Sequence, residues 1–341
     1  MSEPCEPLVE VRNLRRRFGP VHAVRDLSFS IEPGQVVGFI GANGAGKTTT
    51  MRMMATLEIP DGGSIRIAGY DVISSPVEVR RRIGWMPDSY GTYDNMTVFE
   101  YLDFYARAFG FRGEDRQARV SEVMEFANLT ELAERPMNKL SKGMGQRLCL
   151  GRTLLHDPPL LIMDEPAAGL DPKARIEFKN LVRLLAQDGK TLFISSHILS
   201  ELGEMCDTLL FIDGGRLVHH GSSESLISEN RTNAQVEIRV APGAEAALRE
   251  WISLNQGITF VDATRSGARV RIEPDTPECM HAILRKLVLD GIPVTEFRRE
   301  ERKLEDAFVE ILGQQTRGAG PTPTAAPASP PPLPPPLPPA P

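Results

Sequence analysis

A five-residue apolar run, Val36-Val37-Gly38-Phe39-Ile40, passes without a break into Gly41-Ala42-Asn43-Gly44-Ala45-Gly46-Lys47-Thr48. No other stretch restricts the fold as much. The run has the form of a short strand buried on both faces. The glycines at 41, 44 and 46 let the loop turn its backbone N–H groups inward, and Thr49–Thr56 then opens a helix whose positive N-terminal end adds to them. Strand, glycine loop and helix in this order form a phosphate cradle. Lys47 is placed to reach the β- and γ-phosphates of a nucleotide, Thr48 to offer its hydroxyl to Mg²⁺, and Thr49 to touch the α-phosphate. Alone, the loop says only that a nucleotide binds.

Further motifs narrow the chemistry. Leu161-Ile162-Met163-Asp164-Glu165-Pro166 reads as a buried strand that delivers two acids to a metal and a water. Asp164 is suited to hold Mg²⁺ through its water shell, and Glu165 to orient and deprotonate an attacking water. A second buried strand, Thr191–Ser195, leads to His197. Between loop and acids lies Leu140-Ser141-Lys142-Gly143-Met144, a small-residue turn that exposes backbone N–H groups and a hydroxyl.

With the three stretches in this order, the chain resembles the nucleotide-binding subunits of ATP-binding-cassette (ABC) transporters over about residues 7 to 225. The resemblance implies a P-loop ATPase with a mainly parallel sheet, an N-terminal antiparallel β subdomain and a helical subdomain at about 97–145. It implies that Ser141 and the Gly143 N–H bind the γ-phosphate of ATP held by a second, identical subunit, and that Asp171 couples the two sites. His197 takes the place of the residue that contacts the γ-phosphate, and Phe18 that of the ring against adenine. Lys142 and Met144 replace a glycine and a glutamine of the commonest signature, LSGGQ. Asp88, in Trp85-Met86-Pro87-Asp88, stands where most relatives carry glutamine; its carboxylate still suits Mg²⁺. The segment Tyr90–Phe111 holds four of the five tyrosines. Residues 97–139 read as helical, with Val98, Leu102, Tyr105 and Phe109 at helical spacing on one stripe. In the family the Tyr90–Phe111 region lines a groove for a helix of the membrane subunit, although a stripe that merely packs the helical subdomain explains Leu102 and Phe109 equally well.

The pattern changes from about residue 233. Strand, helix, hairpin, helix and strand follow one another to 299, which predicts a ferredoxin-like α+β domain over 233–312, ending in a helix at 304–312. Residues 313–341 read as a disordered tail, with 12 prolines among small residues from 321 onward.

Bulk properties exclude several classes. Net charge is −6, which gives no electrostatic case for nucleic acid or an anionic bilayer. The acidic N-terminus does not read as a secretion signal, and no apolar stretch approaches the roughly 20 residues of a membrane helix. The four scattered cysteines read as reduced thiols of a cytosolic protein. Within these bounds the resemblance, which is to cassettes of the bacterial multidrug or antibiotic exporter type, implies an ATP- and Mg²⁺-dependent subunit, at the inner face of the membrane through a separate permease, that powers export of a drug-like or other hydrophobic substrate. A soluble ABC ATPase outside transport and an ATP-gated regulatory module are the alternatives from other classes.

Overall fold

Alternation of apolar and polar residues pairs the first two strands. β1 (Val9–Phe18) buries Val9, Val11 and Leu14, and β2 (Val21–Ile31) buries Val24, Leu27, Phe29 and Ile31. A turn at Gly19-Pro20 sets them antiparallel, Val9 opposite Ile31 and Phe18 opposite Val21. The computed structural model describes residues 6–89, 91, 93–203, 205–222, 235–274 and 276–299. The predicted helix at 304–312, the proline-rich tail, Cys5 and Tyr90 lie outside them.

β3 (Val36–Ile40) is buried at every residue, as its unbroken apolar run requires. α1 (Lys47–Met54) follows, then β4 (Gly62–Ile67), β5 (Tyr70–Asp71), α2 (Pro76–Arg80) and β6 (Ile83–Met86). α3 (Val98–Ala108), α4 (Gly113–Phe126) and α5 (Lys142–Leu154) form a helical layer. The chain returns through β7 (Leu160–Met163), α6 (Pro172–Gln187), β8 (Thr191–Ser196), α7 (Leu199–Gly203), β9 (Thr208–Asp213) and β10 (Arg216–Gly221). The ten strands form one mixed sheet in the order β5-β4-β1-β2-β10-β9-β3-β8-β7-β6. From β9 to β6 every pairing is parallel. The edge from β5 to β2 is antiparallel. β10 joins the halves, antiparallel to β9 and parallel to β2.

Each face of the sheet carries its own core. One buries Met51, Met53 and Met54 of α1 with Val9, Leu27 and Ile67. The other buries Leu102, Val123, Leu148, Phe178 and Leu181 from α3 to α6 against Leu161, Met163 and Ile194. Phe39 and Phe193 stack across the β3–β8 pair with centroids 5.1 Å apart.

α3 opens on a capping box. The Thr97 N–H donates to Glu100 Oε2 at 2.8 Å, and the Glu100 N–H donates to Thr97 Oγ1 at 3.2 Å. The helical reading of 97–139 holds only to Phe126. Asn128 takes a left-handed backbone (φ 53°), and only 3₁₀ turns at Thr130–Leu132 and Met137–Lys139 follow. Of the predicted stripe, Val98 and Leu102 are fully buried and Tyr105 partly so, whereas Phe109 lies just past the helix end, exposed and stacked on His156. Arg152 of α5 ties this layer to the sheet by donating to Tyr101 Oη at 3.1 Å and to the Trp85 carbonyl of β6 at 3.3 Å.

Beyond residue 235 come β11 (Gln235–Val240), α8 (Glu245–Leu254), β12 (Ile258–Thr264), β13 (Gly267–Ile272), α9 (Pro277–Leu289) and β14 (Val294–Arg299). The four strands form a separate antiparallel sheet in the order β12-β13-β11-β14. Its core gathers Val236, Ile238, Val270 and Ile272 with Leu248, Trp251 and Leu287 of the helices.

Candidate functional site

The β3–α1 loop holds the first half of the site. Gly46 caps α1 with φ 108°, and a Cβ there would fall 2.4 Å from the Ala23 carbonyl oxygen, so no other residue fits this turn. The Lys47 side chain is 6% exposed and folds back over the loop. Its ammonium donates to the carbonyls of Gly41 at 2.7 Å and Ala42 at 3.3 Å, and lies 3.4 Å from Glu165 Oε1. A buried ammonium needs such partners.

The second half comes from the ends of β7 and β8, neighbours in the sheet. The Asp164 N–H donates to the Met86 carbonyl at 2.8 Å, which fixes the end of β7 against β6. Glu165 then takes φ +48°, a left-handed conformation costly for a side chain of this size. Ser195 supports it: the Glu165 N–H donates to Ser195 Oγ at 2.8 Å, and the Ser195 hydroxyl donates to Asp164 Oδ1 at 2.6 Å. On the far side, His197 Nδ1 sits 2.8 Å from Glu165 Oε2. The Glu165 carboxylate is thus held between Lys47 and His197.

Burial pushes the Asp164 carboxyl above its usual value. Hydrogen bonds from Ser195 and Thr48 oppose this, and the charges of Asp88 and Glu165 add to it. A hydroxyl and two carboxylates, Thr48, Asp88 and Asp164, give a hard-oxygen donor set crowded with negative charge, which suits a divalent cation. Among the described residues no group of three or more His, Cys, Asp or Glu side chains is placed to hold a metal alone. Oxygens from a bound phosphate would have to complete the shell.

An open cleft of about 500 Å³ runs over these groups. Its walls bring together Ala42, Asn43, Gly44, Gly46, Lys47, Thr48, Thr49, Asp88, Glu165 and His197, all singled out from sequence. Gly41 contributes its carbonyl from below, and Ala45 is buried within the loop. Ser141, Gly143 and Asp171 gather elsewhere. Ser141 caps α5, accepting from the Met144 N–H at 3.3 Å, and Asp171 caps α6, accepting from the Ala174 N–H at 2.9 Å. Gly143 packs so closely on Ala174 that an added Cβ would come within 2.7 Å of it. Phe18, exposed at the end of β1, lies under the Arg16 guanidinium at 4.6 Å and is not among the cleft-lining residues; Val21 and Ala23 of β2 are.

Sequence reasoning did not find two participants. Ser195 looked like one more strand residue, and its only signal was a pair of serines directly before His197. Lys142, read as a replaced glycine, lines the cleft as well.

A glycine loop between a parallel strand and a helix, with two acids closing the next strand but one, defines a P-loop nucleotide hydrolase. Comparison with known proteins narrows this class. The profile described as "ABC transporter" matches residues 24–168. The Nod factor export ATP-binding protein I of Burkholderia orbicola (strain AU 1054) is 35% identical over 307 residues, covering 90% of this chain and 97% of that protein. The linearmycin resistance ATP-binding protein LnrL of Bacillus subtilis (strain 168) is 29% identical over 316 residues, covering 91% of this chain and 100% of that protein. A solved ATP-binding subunit of an ABC transporter superposes with a TM-score of 0.60 at 29% identity, covering 65% of this chain and 92% of that one. The chain belongs to the ABC transporter family as an ATP-binding, ATP-hydrolysing subunit.

Proposed function

We propose that this chain powers export through a separate membrane permease, as one of two identical subunits that close head to tail around two molecules of ATP. One observation carries the reading: Glu165 is fixed between Lys47 at 3.4 Å and His197 at 2.8 Å at the mouth of the phosphate loop. In this reading the loop N–H groups and Lys47 bind the β- and γ-phosphates, and Thr49 the α-phosphate. Phe18 stacks on adenine. Thr48, Asp88 and Asp164 would hold Mg²⁺, which would offset phosphate charge when bound. Glu165 takes the proton of the attacking water, and His197 orients Glu165 and the γ-phosphate. Ser141 and Gly143 complete the partner's site, with Asp171 coupling the two.

That Ser141 and Gly143 stand outside the cleft of their own chain supports the two-subunit arrangement. Among the described residues no helix is long and apolar enough to cross a membrane, which supports a separate permease at the inner face. Tyr93, Phe99, Phe104 and Phe109 all expose apolar surface, which supports a docking role for that segment. The direction, export, rests on the Nod factor export relative and on the linearmycin resistance relative. We assign the ATPase domain to 7–225, with its helical subdomain at about 97–145, and a ferredoxin-like domain to 233–312. The sheet order β12-β13-β11-β14 with two helices supports the latter. Residues 313–341, beyond that domain, lie outside the described residues.

The test is Glu165→Gln. It is expected to bind ATP as tightly as the parent, to hydrolyse at least about 100-fold more slowly, and to accumulate as a dimer with ATP. A variant that stays monomeric at saturating ATP, or that hydrolyses normally, would overturn the reading. Purification from detergent-solubilised membranes is expected to bring a polytopic partner.

A further inference from the structure

Charge in the cleft is arranged unusually. Lys142 and Asp88 both replace residues that are neutral in the commonest form of the family's motifs, and both line the same cleft with Lys47, Glu165 and His197. They arrive from separate elements. Asp88 follows β6, whereas Lys142 is the first residue of α5, brought alongside by the packing of Gly143 on Ala174 of α6. The Lys142 ammonium lies against Gly169. A Cβ at Gly169, whose φ is +66°, would fall 2.5 Å from Lys142 Nζ. The bare glycine backbone leaves room for the head group there, beside Ala168 of the cleft wall.

The two lysines of the cleft differ in occupation. Lys47 is filled by two carbonyls and Glu165, whereas Lys142 makes no ion pair or hydrogen bond among the described residues. Two acids, Asp88 and Glu165, line the space an anionic triphosphate would enter, and the buried Asp164 lies close enough to feel both charges. Without Lys142 a single lysine would oppose them. Like charges in a cleft walled by protein repel with less screening than in water.

We propose that Lys142 is a second cation of its own chain's nucleotide cleft, acting on the γ-phosphate end and offsetting the charge that Asp88 brings. The assignment rests on the cleft being the ATP site. It gives a residue of the signature segment work within its own subunit, separate from the contact that Ser141 and Gly143 make across the pair. The lysine also senses the phosphate end before any partner closes.

The test uses the full chain carrying Glu165→Gln, so that hydrolysis does not intervene, at a dilution where light scattering reports a monomer. The readout is the dissociation constant of a fluorescent ATP analogue with Mg²⁺. Lys142→Met is expected to weaken binding about five- to tenfold, and Lys142→Arg to retain it. With Asp88→Asn also present, Lys142→Met is expected to cost no more than about twofold, because one of the opposing acids is gone. Lys142 is exposed, so thermal melts of the variants are expected to match the parent; should Lys142→Met melt early, Lys142→Gln replaces it. Unchanged binding, an equal loss in both backgrounds, or an effect confined to the dimer would overturn the proposal. Lys47→Ala separates the two readings. If it abolishes binding while Lys142→Met does nothing, only the inference falls; if it too leaves binding intact, the ATP site itself is misassigned.

Discussion

Ser195→Ala removes one hydroxyl from the floor of the site, and its effect follows from the two bonds that hydroxyl makes. Ser195 donates to Asp164 Oδ1 at 2.6 Å and accepts from the Glu165 N–H at 2.8 Å, and it is fully buried. A hydrogen bond to a charged acceptor contributes about 1.5–3 kcal/mol, and a buried donor left unpaired costs about 1–3 kcal/mol. Because one atom serves both bonds and water can enter at the cleft, we expect a combined loss of about 2–4 kcal/mol rather than the full sum. For a cooperative unit of this size that corresponds to a fall of roughly 5–10 °C in the melting temperature without nucleotide. The same bond restrains Glu165 at φ +48°, a conformation that costs about 1–3 kcal/mol and needs its surroundings to hold it. Released, Glu165 is expected to relax away from the attacking water, so kcat should fall at least about tenfold while KM for ATP changes little. Steady-state ATPase assays and nucleotide-free melts measure both. An unchanged kcat, or a raised KM at unchanged kcat, would show that Ser195 does not position Glu165.

Three further outcomes are expected. Burial raises the Asp164 carboxyl above its ordinary 3.8, so the folded chain holds that proton more tightly than the unfolded one, and ionised Asp164 weakens the fold at neutral pH. Asp164→Asn should therefore raise the nucleotide-free melting temperature at about pH 8, with a gain that shrinks toward about pH 4; a loss at the higher pH would contradict the linkage. Asp88→Gln removes a carboxylate from the metal side of the cleft and should raise the Mg²⁺ concentration for half-maximal hydrolysis about three- to tenfold, which a Mg²⁺ titration of ATPase rate checks. Lys47→Ala strips the phosphate loop of its buried ammonium and should weaken ATP binding about 30-fold or more, measured by equilibrium binding, with parental binding the contrary result.

The central fold was legible because its strands are buried on both faces and announce themselves as unbroken apolar runs. Val36–Ile40, Leu160–Met163 and Thr191–Ser196 needed no periodicity to be seen, and the loop after Ile40 fixed their sense. The strands and helices over 235–299 were legible for the opposite reason, since they alternate in short periodic segments. What stayed hidden was set by contacts distant in sequence. Strand β10 joins the two parts of the large sheet through a single pairing, Arg216 with Asp26, which nothing in residues 216–221 signals. Ser195 becomes a site residue only because β7 and β8 lie side by side. Lys142 reaches the cleft only because α5 packs on α6 at Gly143 and Ala174. The helical reading ran too far at 127–139 because apolar spacing persists there while Asn128 and Pro136 break the backbone pattern.

If Glu165 is the base of the proposed function, the geometry ties its chemistry to phosphate binding. The Lys47 ammonium has three partners, two loop carbonyls and the Glu165 carboxylate. An incoming phosphate competes for that ammonium, and as the more highly charged anion it prevails. The bond it displaces most readily is the longest, the 3.4 Å contact to Glu165. Glu165 does not swing free when that happens, because His197 at 2.8 Å and the Ser195-bound backbone still fix its direction. On the proposed reading, a phosphate bound at Lys47 would take the cation that offsets the Glu165 charge and leave that carboxylate free to act as base toward a water beside the γ-phosphate.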